Sequence, residues 1–274
     1  MIKKDKRIAA VICMCSRADV DSNISTAERL TQQAINAGAH WIVLPEMFMY
    51  MGETQGLLAA AQRSSEAISR LQDLANKFKV TIFAGSVPEF KPQSQKVLNR
   101  LYVLSSSVER VHYDKLHLFH LQDPHGDVLY SEHDAYLQGE ELKTVCVDGW
   151  ELGLGICYDL RFSDMFNALS RQKPIDGLIL PSAFTQKTGA HWELLLRARA
   201  VEWQCYVLGA NQFGGHSSTK QSFGHSMIVG PWGQVLVNTG AQESIVLTEL
   251  DPECVYQTKF AIPVHRDRRP EVYS

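Results

Sequence analysis

The 274-residue sequence has no apolar run near the roughly 20 residues that a membrane-spanning helix needs. Its charges nearly balance, with a formal net charge of -3, so it lacks the basic excess of proteins that bind nucleic acid or a membrane surface. We therefore expect neither a membrane nor a nucleic acid as a partner. Chemistry on a small molecule is the better expectation.

Several catalytic motifs are also missing. The sequence has no CxxC pair, no zinc-type Cys/His run and no HExxH motif. It has no GxSxG elbow, and Gly153-x-Gly155 lacks the third glycine of a dinucleotide-binding loop. We expect no metal and no cofactor.

The six cysteines have no disulfide-like spacing, and most lie inside apolar runs, as is typical of a reducing cytoplasm. Lysines precede the apolar run from Ile8 to Cys15, as in a signal peptide. However, Asp5 interrupts the basic stretch, and eight apolar residues with β-branched members also suit a buried strand. We therefore interpret this run as a buried first strand.

Helical and strand-like patterns alternate over nearly the whole chain, which predicts an α/β or layered α+β fold. The predicted strands are 8–15, 41–44, 80–85, 176–180, 205–210, 226–229, 234–237 and 244–250, with hairpins at 97–111 and at 143–147 with 151–156. The predicted helices are 23–37, 65–78, one capped by Ser163, 190–202 and a short one after Asp251-Pro252. No Pro/Gly/Ser-rich linker divides the chain, so we predict a single domain over 1–274.

Two strands in this pattern are similar. Each is an apolar strand that follows a predicted helix and ends in proline, in the segments Trp41-Ile-Val-Leu-Pro-Glu46 and Gly177-Leu-Ile-Leu-Pro-Ser182. Apolar strands that end in proline are common, so this similarity alone does not indicate a duplication.

Cys157 lies where a nucleophile would be expected. In Gly153-Leu-Gly155-Ile-Cys157-Tyr-Asp159 it ends an apolar strand and precedes a predicted helix. A sharp strand-to-helix turn exposes such a side chain, and a helix N-terminus favours a thiolate. A buried structural cysteine is the alternative.

Two further candidates are a carboxylate and a lysine. Glu46 follows a buried strand at its carboxyl end, where open α/β sheets place ligand sites, and can serve as a general base or cap a helix. Lys115 lies in an unusually apolar and aromatic segment, and lysine is rarely buried without a partner. It can stabilise a tetrahedral intermediate or extend to water, and Glu132 is its candidate partner.

Five of the ten histidines fall between His112 and His133, so a metal-dependent hydrolase is an alternative function. Their spacing matches no common zinc site. A non-catalytic binding protein is the second alternative.

Taken together, Glu46, Asp-Lys115-Leu-His-Leu-Phe and Gly-Ile-Cys157-Tyr-Asp-Leu-Arg-Phe resemble the Glu-Lys-Cys signature of the nitrilase superfamily. The resemblance covers essentially the whole chain. It implies that Cys157 is the nucleophile, Glu46 the general base and Lys115 the stabiliser of the intermediate. Glu132 matches the family's second glutamate, although His133 stands where serine is usual, and the Tyr158 backbone N–H would complete the oxyanion hole.

The resemblance also implies a four-layer αββα sandwich, a homodimer or larger homo-oligomer, and a C-terminal arm at 260–274. It is strongest to the Nit amidase branch, which acts on deaminated glutathione or on ω-amides such as α-ketoglutaramate. Such substrates carry carboxylates, and Arg161 is a candidate for binding one, although it can also pair with a core carboxylate. His191, in the Thr-Gly-Ala-His-Trp run, is the second candidate for substrate binding.

Overall fold

The computed structural model describes residues 4–273. Residues 1–3, which the single-domain prediction includes, and residue 274, which ends the predicted arm, lie outside the described residues. The strands are β1 (Arg7–Cys13), β2 (Trp41–Val43), β3 (Thr81–Phe90), β4 (Val97–Leu104), β5 (Val111–Asp114), β6 (His120–Gln122), β7 (Val128–Ser131), β8 (Tyr136–Leu137), β9 (Thr144–Val147), β10 (Trp150–Leu154), β11 (Gly177–Ser182), β12 (Tyr206–Asn211), β13 (Phe213–Gly215), β14 (Gln221–Phe223), β15 (Met227–Val229), β16 (Val235–Asn238) and β17 (Ser244–Leu250). The α-helices are α1 (Val20–Asn36), α2 (Thr54–Ala61), α3 (Ser64–Phe78), α4 (Ser163–Gln172), α5 (Gly189–Trp203), α6 (Pro252–Ala261), α7 (Val264–Asp267) and α8 (Pro270–Tyr273).

Most strands belong to two mixed sheets. The first has the order β17-β1-β2-β3-β4-β5, with β8 also paired to β4, and the second has the order β16-β15-β12-β11-β10-β9. Three consecutive strands run parallel in each sheet, namely β1-β2-β3 and β10-β11-β12. The two similar sequence segments form β2 and β11, so each provides the middle strand of a parallel triplet.

The two-residue alternation of side chains along the strands explains why the sheets stack. On β1, Ala9 and Val11 pack into the core between the sheets, whereas Ala10 and Ile12 pack against the outer helices. Trp41 from the first sheet meets Trp150 from the second edge to face, with ring centroids 5.5 Å apart. The predicted four-layer sandwich is thereby confirmed.

Helix α1 covers the outer face of the first sheet with a stripe of buried side chains at helical spacing: Ile24, Ala27, Leu30 and Ala34. It begins three residues earlier than predicted. The reason is Asp19, whose carboxylate accepts hydrogen bonds from the backbone N–H groups of Asp21 and Ser22 and so caps the helix. Helix α5 packs Trp192 and Leu196 into the core beneath the second sheet.

The structure differs from the predictions in a few local features. Ser163 is the first residue of α4, and the cap position belongs to Phe162 without a capping side chain, so the predicted serine cap is wrong. A 3-10 turn, Cys157–Arg161, stands between the strand and this helix. The sequence patterns also missed α2 and the short hairpins β6-β7 and β13-β14. The predicted turn at Asp148-Gly149 is present, and both residues have positive φ.

The C-terminal segment begins inside a helix, because residues 260 and 261 still belong to α6. Several of its apolar side chains are exposed, including Phe260 at 76% and Val272 at 66%. Within residues 4–273 no helix combines the length and the apolar character that crossing a membrane demands.

Candidate active site

Three of the predicted functional residues follow the carboxyl ends of strands. Glu46 lies three residues after β2, and Lys115 directly follows β5; both strands belong to the first sheet. Cys157 comes after β10 of the second sheet. The stacking of the two sheets brings Glu46, Glu132 and Cys157 to the wall of one cleft, with the ammonium of Lys115 bonded to both carboxylates.

Lys115 is completely buried, and its ammonium group lies between two carboxylates. Its Nζ donates to Glu46 Oε1 at 2.8 Å and to the two carboxylate oxygens of Glu132 at 2.9 and 2.8 Å. Burial disfavours the charge, but Glu132 and Glu46 outweigh it and hold the pKa of Lys115 well above its usual value. The group therefore stays a cation at neutral pH.

Glu132 is fixed from two sides. It opens the 3-10 turn Glu132–Asp134, and the backbone N–H of Phe119 donates to its Oε2 at 2.6 Å. Burial raises the pKa of Glu132, and the positive charge of Lys115 opposes the rise. Gly139 allows the segment after Glu132 to pass close to the backbone of Asp114, because a side chain at position 139 would overlap the carbonyl oxygen of Asp114.

Glu46 is held by residues that the sequence patterns did not single out. Asn99 Nδ2 donates to Glu46 Oε1 at 2.8 Å, and Gln212 Nε2 donates to the Glu46 carbonyl oxygen at 3.0 Å. Gly85 has φ of 30°, and a Cβ there would overlap the carbonyl of Pro45. The signal for Asn99 was its position as a polar residue inside the apolar strand β4.

The nucleophile candidate has a strained backbone. Cys157 adopts φ of 49°, which is uncommon for a residue other than glycine and is found in sharp turns that present a nucleophile. Its turn is organised by Asp159, whose carboxylate is fully buried and accepts hydrogen bonds from the N–H groups of Ile156 and His117, both at 2.9 Å, and from the Tyr113 hydroxyl at 2.7 Å. The sequence patterns gave this aspartate no role.

The surroundings of Cys157 favour the neutral thiol over the thiolate. Burial and the nearby Glu46 carboxylate raise the pKa of Cys157 well above its usual value, although Lys115 and the backbone N–H of Ala183 act in the opposite direction. The raised pKa of Cys157 differs from the expectation that a helix N-terminus favours the thiolate. The reason is that the element which starts at Cys157 is only a short 3-10 helix of five residues. A thiol of this kind needs a base to accept its proton.

The cleft around Cys157 has a volume of ≈ 580 Å³. Tyr158 lines it, with its ring packed edge to face on Phe119 and Phe162 at 5.1 Å in each case. Arg161 also lines the cleft, and its guanidinium faces the ring of Phe184 at 5.5 Å. Nδ1 of His191 lies 3.2 Å from Nη2 of Arg161. His191 itself is not among the described residues that line the cleft.

The histidines between His112 and His133 do not converge. His117 Nδ1 lies 2.7 Å from Asp159 Oδ1, and its ring stacks on Phe162, so it belongs to the support of the Cys157 turn. No group of three or more His, Cys, Asp or Glu side chains suited to a metal ion occurs in the part of the chain from residue 4 to residue 273.

Comparison with known proteins places this arrangement in a family. Residues 8–260 match the family model described as carbon-nitrogen hydrolase. The chain is 36% identical to the deaminated glutathione amidase of Synechocystis sp. over 93% of this chain and 96% of that protein, and 32% identical to an omega-amidase of Saccharomyces cerevisiae over 98% and 94%. The crystal structure of the C. elegans NitFhit protein superposes with a TM-score of 0.93 at 34% identity, covering 100% of this chain and 67% of that one. The chain is therefore an enzyme of the carbon-nitrogen hydrolase family, within the nitrilase superfamily.

Proposed function

We propose that the protein hydrolyses a linear carboxamide through an acyl-thioester on Cys157. The observation that carries this proposal is the buried contact of Lys115 with both Glu46 and Glu132, beside the Cys157 thiol in the same cleft. Keeping a lysine and two carboxylates away from water is costly, and active sites are where such arrangements are found.

In the first step, Cys157 Sγ attacks the amide carbonyl carbon while Glu46 accepts the thiol proton. The π-electron pair of the carbonyl bond moves onto the carbonyl oxygen, and the Lys115 ammonium and the backbone N–H of Tyr158 stabilise the resulting negative charge. Glu46 then passes its proton to the leaving nitrogen. The carbon-nitrogen bond breaks, and ammonia or an amine departs from the thioester.

In the second step, water replaces the amine. Glu46 accepts one proton from the water as its oxygen attacks the thioester carbon, and the carbon-sulfur bond breaks. The proton returns to the thiolate of Cys157, and the carboxylic acid is released. Glu132 fixes the position and charge of Lys115 in both steps. Side chains of the chain carry every proton transfer, so the proposed reaction uses no cofactor.

The favoured substrate is deaminated glutathione, with slower turnover of ω-amides such as α-ketoglutaramate. Two observations support this choice. Similar proteins are named deaminated glutathione amidase and omega-amidase. In addition, Arg161 lines the cleft with its Nη2 beside His191, and it forms no ion pair with a carboxylate among residues 4–273. A guanidinium in that position can make a bidentate contact with the carboxylate of a keto-acid amide. Because His191 contacts Arg161, we assign it the role of positioning the guanidinium.

A kinetic panel with a Cys157→Ala control tests this function. We expect deaminated glutathione to be hydrolysed with the highest kcat/KM, and nitriles and N-carbamoyl amino acids at least about tenfold more slowly, a gap of ~1.4 kcal/mol in transition-state binding. Mass spectrometry should detect an acyl adduct on Cys157. Turnover by the Cys157→Ala variant would contradict the mechanism, and loss of activity on exhaustive chelation would favour a metal-dependent hydrolase. Absence of turnover on the whole panel would favour a binding protein.

We also propose a homodimer or larger homo-oligomer in the reducing cytoplasm. The assembly is supported by exposed apolar side chains on the outer helices, including Tyr256 at 62% and Phe260 at 76% on α6. The location is supported by six free cysteines, one of which must remain a thiol to react. The net charge of -3 favours neither nucleic acid nor a membrane as a partner.

A further inference from the structure

Lys220 lines the cleft where its own loop meets the loop of Gly52 and strand β7. It belongs to the segment that joins β13 and β14, and its Nζ donates to the Gly52 carbonyl oxygen at 3.1 Å. The same ammonium group lies 5.7 Å from the ring centroid of Tyr130 on β7. Lys220, Gly52 and Tyr130 all line the cleft. The half-buried lysine is therefore held in place and has donor capacity left.

The charge around the cleft mouth is unbalanced. Arg161, Lys187 and Lys220 line the cleft, and of its three lining carboxylates Glu46 and Glu132 are bonded to Lys115, which leaves Glu53. No carboxylate oxygen lies within 4.0 Å of Lys220 Nζ in the part of the chain between residues 4 and 273. An ammonium group in a partly desolvated cleft without a counter-ion favours the binding of an anion.

The size of the cleft exceeds the needs of a short amide. Its ≈ 580 Å³ falls within the range of roughly 300–1,000 Å³ that suits ligands of drug size. Arg161 belongs to the 3-10 turn of Cys157, whereas Lys220 belongs to the separate β13-β14 hairpin. A substrate with a carboxylate on each side of its scissile amide can therefore meet a different cation with each one.

We propose that Lys220 binds the remote carboxylate of a peptide-like leaving amine. This inference rests on the proposed amidase function and adds a specificity residue to it. Lys220 gives the enzyme its preference for amides that release a carboxylate-bearing amine over amides that release ammonia. It acts on substrate binding before the first step and has no part in hydrolysis of the thioester.

Two substrates with the same acyl group test the role of Lys220. Deaminated glutathione and α-ketoglutaramate both donate the α-ketoglutaryl group, so they form the same thioester and differ only in the leaving amine. For Lys220→Met we expect kcat/KM with deaminated glutathione to fall about tenfold or more, mainly through KM, because a charge-assisted contact is lost. The kcat/KM of Lys220→Met with α-ketoglutaramate should differ from that of the wild type by less than about twofold. Lys220→Arg should restore most of the loss.

A matched variant and a modified substrate complete the experiment. Lys77→Met removes an exposed lysine of α3 outside the cleft lining and should leave both substrates unaffected. Deaminated glutathione with its terminal carboxylate converted to a carboxamide should be a poor substrate for the wild type and should be insensitive to Lys220→Met.

The possible outcomes separate this inference from the proposed function. An equal loss on both substrates would make Lys220 a structural clamp between loops and overturn the inference. Unchanged kinetics of Lys220→Met on deaminated glutathione would overturn it too, while the amidase function would stand. A wild-type protein that turns over neither substrate would overturn this inference together with the proposed choice of substrate.

Discussion

A lysine without exposed surface keeps its charge only beside carboxylates, and Lys115 has two of them. Replacing Glu132 with glutamine preserves the shape of the pocket but removes one of the two negative charges. We expect Glu132→Gln to lower kcat at least about 100-fold while KM changes less than about threefold, because the loss falls on transition-state stabilisation. Steady-state kinetics with deaminated glutathione measures both values.

The control for this variant is the binding step. Circular dichroism should give a folded spectrum, and the Glu132→Gln protein should still bind substrate in isothermal titration. Turnover close to that of the wild type would show that Glu132 does not support the function of Lys115.

The thiol makes a prediction about pH. Burial first and the Glu46 carboxylate second raise the pKa of Cys157 above its ordinary value of 9.0, so the free protein should be alkylated slowly at pH 7 and faster only above about pH 9. Glu46→Gln removes one negative charge, so the pKa of the thiol should fall and the alkylation profile should move to lower pH. The rate is measured with iodoacetamide, by mass spectrometry of the Cys157 peptide.

Glu46→Asp is the matched control, since it shortens the side chain but keeps the charge. A Glu46→Gln profile that is unchanged or moves to higher pH would contradict the electrostatic argument. So would a wild-type thiol that is largely ionised at pH 7.

At the scale of residues, the sequence predicted those whose chemistry is unusual for their surroundings. Lys115 stood out in an apolar segment, and Cys157 stood out at a strand end. Asp159 could not be predicted in the same way, because its role depends on which backbone N–H groups reach it in three dimensions. Asn99 had a signal as a polar residue inside β4, but its contact with Glu46 is visible only in the structure. Arg161 was a candidate for substrate binding from the sequence, and it lines the cleft, whereas His191, the second candidate, contacts Arg161 and is not among the described residues that line the cleft.

The 3-10 turn after β10 depends on Asp159. Replacing it with asparagine leaves one acceptor oxygen and turns an amide N–H₂ toward groups that are themselves donors. We expect Asp159→Asn to lower the free energy of unfolding by about 2 to 4 kcal/mol and to reduce activity sharply. Urea denaturation followed by fluorescence measures the stability.

Asp164→Asn is the corresponding control, because Asp164 is exposed in the first turn of α4. Asp164→Asn should lower the free energy of unfolding by only ~0.5 kcal/mol. If both variants lose the same stability, the buried hydrogen bonds of Asp159 do not hold the turn.

The loop that carries Glu46 depends on a close backbone approach at Gly85. Gly85 and Gly38 both have positive φ, but only at Gly85 would a Cβ overlap a neighbouring carbonyl; at Gly38 nothing lies within 4 Å. We expect Gly38→Ala to cost about 1 to 2 kcal/mol from the backbone conformation alone. Gly85→Ala should cost clearly more and should also impair catalysis. Equal unfolding midpoints in urea for the two variants would show that the close backbone approach at Gly85 does not affect the free energy of unfolding.

At the scale of elements, periodicity predicted the long strands and helices well, because their buried faces repeat every two or 3.6 residues. The short hairpins β6-β7 and β13-β14 carry little periodicity, and their side chains are partly exposed. Both hairpins contribute to the cleft, so the parts of the fold that the sequence left unpredicted are those that shape the substrate site.

At the scale of the whole molecule, the exposed faces of α5 and α6 should be covered in solution. We expect the wild type to run at twice 30.8 kDa or more in analytical ultracentrifugation. Phe260→Asp puts a charge beside Tyr256 among the exposed apolar side chains of α6, so it should shift the protein toward monomer. Phe90→Asp is the matched control, because Phe90 is 47% exposed at the end of β3. A wild type that sediments as a monomer would refute the assembly.

Because the proposed reactive groups are divided between the two sheets, the proposed catalysis depends on the two sheets staying packed together. Glu46 and Lys115 are carried by the first sheet and Cys157 by the second, so neither half of the sandwich holds a complete set of reactive groups. During unfolding, turnover must therefore vanish as soon as the sheets separate, even if each sheet retains its hydrogen-bonded strands. An assay of hydrolysis in rising urea would report that separation, whereas far-ultraviolet circular dichroism would report only the loss of the strands themselves.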